Sequence, residues 1–465
     1  MMLSCRVVWN ARTMAQNRNR TPSVEPSGRR GGVRSAAGSK AGTGAGTTVE
    51  LDVTNVAHGG VFVARHEGRV VFVSDTLPGE RVLAHVSDDA HASFWRAETV
   101  GVLTAAPERR DHVWPESSVD RVPAERAGGA EFGHIDQDFQ RELKRRVLTD
   151  SFSRMAKIDT DVEVEAIPTA PDAGPDAAST GTGWRTRVRL QVAPDGRVGP
   201  FAARSHHVVP VASLPLATAA VEAIAPLTQR FPGAAHVDLI APSDAVARIV
   251  VSENDRRGKP KAPPHAIVHE IVGERRFRLE VGGFWQVHAR AAETLSRAVQ
   301  DAIDGDEFDP RAANLDLYGG VGLLAAAVGD RFGSTVRITT VESDARATDH
   351  AAENLSEWLG AAAVTSRVDR FLRELAEAPA AERRRLQGAT VVLDPPRSGA
   401  GREVVDSLVD LRPRQLVYVA CDPVALARDA GLLRERGYEL QALRAFDLFP
   451  NTHHVEAVAR FMRAS

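Results

Sequence analysis

The strongest constraint on the fold is a repeated way of ending an apolar run. NLDLYGG, TVRITTVE, ATVVLDPP and QLVYVACDP, spread between Asn314 and Pro423, are each apolar, of strand length, and closed by small, acidic or proline residues. Helical stretches separate them, and a further one, RAAETLSRAVQDAI, follows LEVGGFWQVH. Strands alternating with helices predict a doubly wound parallel sheet, whose ligands bind in the crevice at the carboxyl ends of the strands. From Phe277 onward the chain is therefore expected to be α/β, with Gly, Glu, Asp and Cys gathered along one edge.

The remaining length needs other units. At 465 residues, and roughly 150 residues per domain, about three domains are expected. Residues 1–47 are rich in Arg, Gly, Ser, Ala and Thr, with Glu25 the only acid, and read as a disordered basic arm. Residues 48–105 hold short β-rich runs separated by turn signals such as Gly59-Gly60 and Leu77-Pro78-Gly79, which suggests a small closed barrel. Residues 106–275 are mixed α+β. Ile135, Phe139, Leu143 and Val147, four apart, then Phe152 and Met155, mark one face of a long helix. Ile167 to Gly183 and Asn254 to His265 read as surface loops. Around an Asp195-Gly196 turn the pattern alternates, so Arg185, Arg187 and Arg189 share a strand face, facing either a phosphate backbone or water. Residues 276–465 form the α/β unit.

Composition narrows the function classes. Acidic and basic residues number 61 and 58, so nucleic-acid binding must come from local patches. Two cysteines, Cys5 and Cys421, exclude a disulfide framework, a four-thiolate zinc site and a cysteine-ligated iron–sulfur cluster, and fit a reduced, cytoplasmic protein. No apolar run approaches the roughly 18 residues of a membrane span, and MMLSCRVVWN is too short and too interrupted for a signal peptide. His453 and His454 lack a second cluster at ligand spacing, so no metal is expected.

Along the expected edge, Asp316 to Leu323 runs from a strand into a glycine turn where backbone can approach a ligand closely. Glu342 ends the next strand, placed to accept hydrogen bonds from ribose hydroxyls. Gly320-x-Gly322-x-x-Ala325 taken alone does not separate a nicotinamide cofactor from S-adenosylmethionine. Asp394-Pro395-Pro396-Arg397 is a stiff turn presenting a carboxylate, and Cys421 ends the following strand at the same edge.

Taken together, Phe284-Trp285-Gln286-Val287, LDLYGGVG, Glu342, DPPRSG, YVACDP and DLFPNTHHVE resemble the RNA uracil-C5 methyltransferase family, and residues 48–105 resemble its TRAM barrel. The resemblance implies a Rossmann-like catalytic domain behind a small TRAM/OB-like barrel and an α+β central domain. It implies S-adenosylmethionine bound by Gln286, Tyr318, Glu342 and Asp394, Cys421 as nucleophile and Glu456 as the base that removes the C5 proton. It further implies an RNA substrate, tRNA or rRNA, facing the Arg185–Arg189 strand and residues 201–207. No obligatory protein partner is implied.

The chemistry asks for these residue types. Uracil C5 is a poor nucleophile until a thiolate adds at C6, and a base must later take the C5 proton so that the thiolate can leave. An unperturbed cysteine titrates near pH 8.5, so a nearby cation such as Arg397 should favour the thiolate. Three departures from the family pattern stand out. The cluster cysteines often found ahead of the central domain are missing, Gly319 stands where cysteine is frequent, and Asp422 replaces an asparagine after the nucleophile, which could change how the ring edge is read. Two other readings remain: methylation of another base, since Asp-Pro-Pro also resembles amine-methylating loops, and a non-catalytic RNA-binding or RNA-folding protein that keeps the fold.

Overall fold

The protein is described by a computed structural model covering residues 44–169, 174–244, 246–255, 257, 259–261 and 265–464. Cys5 and most of the basic arm lie outside the described residues. Five strands, β1 (Thr48–Ala57), β2 (Val61–His66), β3 (Arg69–Ser74), β4 (Arg81–Asp88) and β5 (Phe94–Thr104), close a barrel in the order β1-β2-β3-β5-β4. Leu51, Val53 and Val56 of β1 all point inward. Strict alternation would expose Val56, but a register shift between Val53 and Asn55 inserts one residue and returns it to the core.

The helix Gln137–Ser151 begins at Asp136, whose carboxylate accepts from the amides of Asp138 and Phe139. Its apolar positions divide between two cores. Phe139, Leu143 and Val147, with Ile135 ahead of them, close the end of the barrel. Leu148 and Phe152 instead pack against the α/β unit. Met155, expected on the same face, is 43% exposed, because the chain widens into a π turn over Phe152–Ala156 and rotates it outward.

Next come β6 (Val164–Ala166), then β7 (Arg187–Val192), β8 (Val198–Gly199), β9 (Ala234–Ile240) and β10 (Arg248–Glu253), the last four forming a sheet in the order β10-β9-β7-β8. A hairpin of β11 (Ile267–Val272) and β12 (Arg275–Glu280) leads into the C-terminal unit. That unit contains β13 (Asn314–Leu317), β14 (Ile338–Glu342), β15 (Ala361–Thr365), β16 (Thr390–Leu393), β17 (Gln415–Ala420), β18 (Tyr438–Asp447) and β19 (Glu456–Arg463).

Its eight-stranded sheet runs β15-β14-β13-β16-β17-β19-β18-β6, with one core on each face. β13 to β17 are mutually parallel, as the strand-end pattern predicts. At its far side the sheet departs from the parallel arrangement, where β19 inserts antiparallel between β17 and β18. β6 adds parallel to β18, so a strand from the central stretch completes this sheet. Among the described residues, no helix is long and apolar enough to cross a membrane.

Candidate active site

β13, β14, β16, β17 and β19 each deliver one chemically useful group to the same edge. β13 runs out at Tyr318, a non-glycine residue at φ 62°, followed by Gly320 at 55° and Gly322 at 87°, where the helix Leu323–Phe332 starts. This left-handed path needs glycine at the turn itself. A side chain at Gly319 would overlap the Thr340 hydroxyl and the Asp316 carboxylate, so the departure to glycine is dictated by its neighbours. Asp316 is fully buried; its Oδ2 accepts from Thr340 Oγ1 at 2.9 Å, while Oδ1 has no donor at hydrogen-bonding geometry.

Glu342, at the end of β14, accepts from the amides of Gly320 (3.2 Å), Ser343 (2.6 Å) and Asp344 (2.9 Å). Its carboxylate is thus oriented against the glycine turn by three amides, with the Ser343 hydroxyl donating as well at 3.0 Å. Gln286 lies in the loop after β12, beside Trp285, whose ring packs 5.6 Å from that of Phe277.

Beyond β16, the Asp394 amide donates to Leu317 O at 3.2 Å, continuing the parallel ladder, and Gly399 N–H closes the Pro396 turn at 2.7 Å. Burial, then the neighbouring Asp316, pushes the Asp394 carboxyl up to about 7, and burial lifts Asp316 to about 6 against the pull of Thr340. Burial and mutual repulsion disfavour ionising both carboxyls, a cost that a cationic guest would offset. Cys421 follows β17 and shares a pocket with Pro395, Pro396, Arg397 and Tyr418.

Ala420 pairs with Ala457 across β17 and β19, so Cys421 and Glu456 lie one step beyond that pair at the same end of adjacent strands. Glu456 is 4% exposed. Burial first, then Asp394, raises its carboxyl well above the ordinary range, while Arg397 opposes them. Arg397 lies within 3.5 Å of His454 Nε2, and burial, with the neighbouring cations, keeps His454 neutral.

Both oxygens of Asp422 have partners within the protein. Its Oδ1 accepts from the amides of Val424 and Ala425, capping the helix Pro423–Glu435, and its Oδ2 bonds to His58.

The arginine strand also differs from expectation. Arg187 is 11% exposed, pairs with Glu270 at 3.2 Å and donates to Gly283 O, so it is not a phosphate contact. Arg189 makes a two-point pair with Asp238 at 2.6 and 2.8 Å, and Arg185 Nε donates to Arg187 O. Of the three, Arg187 and Arg189 belong to β7 and meet acidic neighbours within the protein, while Arg185 precedes the strand.

Asn451, within DLFPNTHHVE, is given no role by the sequence pattern. At φ 64° it accepts from Gln137 and Gln140 at 3.0 Å each and donates to Thr180 O and Gly181 O. The end of the expected surface insertion is thereby tied to the loop before Glu456. Nothing local in the sequence signals it. His58 was missed for the same reason, since its partner lies 364 positions away.

A doubly wound sheet with a carboxylate-lined edge and a strand-end thiol, joined to a small barrel, fits the class of methyltransferases. The comparisons with known proteins agree. Residues 276–463 match the tRNA (uracil-5-)-methyltransferase family and residues 44–98 the TRAM domain. The "Uncharacterized RNA methyltransferase" of Streptomyces avermitilis is 37% identical over 88% of this chain and 97% of its own. The 23S rRNA (uracil(1939)-C(5))-methyltransferase RlmD of Shewanella sp. strain MR-4 is 30% identical over 88% and 94%. In fold, the Pyrococcus abyssi tRNA (uracil-54, C5)-methyltransferase, solved with S-adenosyl-L-homocysteine, aligns at a TM-score of 0.62 and 19% identity, covering 89% of this chain and 99% of that one. The chain belongs to the RNA (uracil-5-)-methyltransferase family and is an RNA uracil-C5 methyltransferase.

Proposed function

We propose that the protein methylates C5 of a uridine in RNA through a covalent adduct between Cys421 and uracil C6. The observation that carries this reading is the placement of Cys421 and Glu456 at the same end of β17 and β19, next to the Asp394-Pro395-Pro396-Arg397 turn. The methyl donor is S-adenosylmethionine, which supplies an electrophilic methyl group on a sulfonium. The residues present fit it: Asp316 keeps a buried oxygen without a donor, and Gly320 leaves open space where a side chain would stand. Glu342, which accepts from the Gly320 amide, is assigned to it together with Tyr318, Gln286 and Asp394.

The Cys421 thiolate donates a lone pair to C6, and the C5=C6 electrons move onto the C4 carbonyl as an enolate. The enolate carbon then takes the methyl group as the methyl–sulfur bond breaks, its electron pair staying on sulfur. Glu456 accepts the C5 proton, the C5–H pair re-forms C5=C6, and the C6–S pair returns to Cys421. A carboxylate whose proton affinity is raised by burial and by Asp394 is a stronger base toward such a carbon acid.

For Cys421 to reach C6, the uridine must be unpaired or flipped out. RNA is proposed to run past exposed Arg397 and the exposed residues 203–207. The relative aligned over 94% of its length is named for 23S rRNA, which favours ribosomal over transfer RNA. Methylation of an amine needs no thiol addition, and a binding protein needs neither thiol nor buried base, so both readings leave this edge unexplained.

The test is incubation of unmodified rRNA and tRNA, separately, with methyl-labelled S-adenosylmethionine, followed by nucleoside mass spectrometry. Label in 5-methyluridine is expected, lost by at least ~10³-fold in Cys421→Ala, as for other nucleophile deletions. RNA carrying 5-fluorouridine should trap the adduct, because no C5 proton is then available to Glu456. Label in another nucleoside that persists in Cys421→Ala would overturn the mechanism.

A further inference from the structure

The turn joining β1 to β2 of the barrel, His58-Gly59-Gly60, sits on the catalytic edge of the large sheet. Nε2 of His58 lies 2.9 Å from Oδ2 of Asp422, the residue directly after Cys421. The other oxygen, Oδ1, is already held by the amides of Val424 (3.0 Å) and Ala425 (2.9 Å) at the start of the helix Pro423–Glu435. Both oxygens of one carboxylate are therefore engaged, one by its own helix and one by a different domain. A side chain could not replace hydrogen at Gly60, because its Cβ would come 2.9 Å from Nδ1 of His453, three residues before Glu456. One barrel turn thus touches the segments that carry both proposed reacting groups.

These contacts constrain the thiol. A carboxylate with a single partner can swing about its terminal torsion, whereas one held at both oxygens cannot. Asp422 shares a peptide plane with Cys421, so fixing Asp422 fixes the backbone from which the thiol projects. Burial alone would favour a neutral Asp422, but the His58 contact and the two amides outweigh it and hold the carboxyl below its ordinary value. The His58 side chain is 45% exposed and is not part of the barrel core.

We infer that His58 is a positioning residue for the nucleophile: acting through Asp422, it sets the direction from which Cys421 meets the uracil ring, making the barrel part of the reaction machinery. The inference rests on Cys421 being the nucleophile. A displacement of about 1 Å in a reacting group costs on the order of 10²-fold, so partial loosening should cost about tenfold.

The experiment uses the full chain with RNA containing 5-fluorouridine and S-adenosylmethionine. It measures the rate of adduct formation at saturating RNA and, separately, the RNA Kd, for wild type, His58→Ala and His58→Gln. His58→Ala should slow the adduct about tenfold while RNA Kd changes less than about twofold. His58→Gln, whose amide N–H can donate to the same oxygen, should recover to within about threefold of wild type. His58→Ala combined with Asp422→Ala should be no slower than Asp422→Ala alone, because the His58 contact is already lost when Asp422 is gone. Unchanged adduct formation in His58→Ala, or a loss confined to RNA affinity, overturns the inference, the latter making His58 an RNA contact. A glutamine variant as slow as the alanine variant also overturns it. Absence of adduct in wild type would instead overturn the covalent reading beneath it, and the two failures are distinguishable.

Discussion

Asp316 and Asp394 hold protons at a pH where ordinary aspartates, near 3.8, have lost theirs: their values stand at about 6 and about 7. The sign follows from burial. Between pH ~4 and ~7 the folded chain binds protons that the unfolded chain releases, so these groups favour folding at the acid end and that contribution is lost as pH rises through 6 to 7. A cation beside them reverses the preference and must expel a proton to bind. S-adenosylmethionine should therefore bind about tenfold more tightly at pH 8 than at pH 6, as expected for one carboxyl titrating near 7. S-adenosylhomocysteine, whose sulfur is neutral, should depend less on pH, and Asp394→Asn should flatten both profiles. Calorimetric titration at the two pH values checks this; equal slopes for the two ligands would remove these carboxyls from the sulfonium's surroundings.

At the scale of elements, the helix Gln137–Ser151 holds the loop that leads from β18 to Glu456. Fully buried Lys144 donates to Asp447 Oδ1 at 2.5 Å and to Phe449 O at 3.0 Å, while Gln137 and Gln140 hold Asn451. Replacing one member of a buried ion pair strands the other charge, so Lys144→Met should cost about 3–5 kcal/mol. Lys144→Met with Asp447→Leu should recover a large part of it, since a buried apolar pair needs no compensation. Urea denaturation of the three chains reads this directly; a double variant no more stable than the single would show that the pair is required for packing rather than neutrality.

The same elements show what was legible beforehand. Parallel strands buried on both faces are largely apolar, so β16 and β17 announce themselves most clearly, β13 and β14 through their strand-end residues, and with them the positions of Glu342, Asp394 and Cys421. β15, AAAVT, is too rich in alanine to read as a strand, and β18 and β19 carry mixed patterns because their neighbours differ from one end to the other. The pairing of Arg187 with Glu270 and of Arg189 with Asp238 is not legible locally, because those carboxylates come from other strands. Asn451 and His58 depend wholly on long-range partners, and no local pattern encodes those.

Across the whole molecule, the segment from Phe132 to Ala166 belongs to two units at once, although the sequence pattern placed it in the central stretch. Phe132, Ile135 and Leu143 complete the barrel core, whereas Leu148, Phe152, Val162 and Val164 lie in the core beneath β13, β16 and β17, and β6 pairs with β18. A chain cut to residues 276–465 would therefore expose an apolar face and leave β18 as an unpaired edge, a combination that favours aggregation. That fragment should not fold as a monomer, whereas residues 132–169 supplied as a separate peptide should bind it and restore cooperative unfolding. In the full chain, Phe152→Ala should cost about 3–5 kcal/mol, as for other buried phenylalanines, because a fully enclosed ring leaves a cavity that neighbours on two sides cannot fill. Thermal unfolding with size-exclusion chromatography decides the matter. A stable, monomeric 276–465 would mean that the strut only orients the barrel; dependence on it would mean that barrel, strut and catalytic sheet fold as one cooperative unit, with the barrel's His58 delivered to Asp422 as a consequence of that folding.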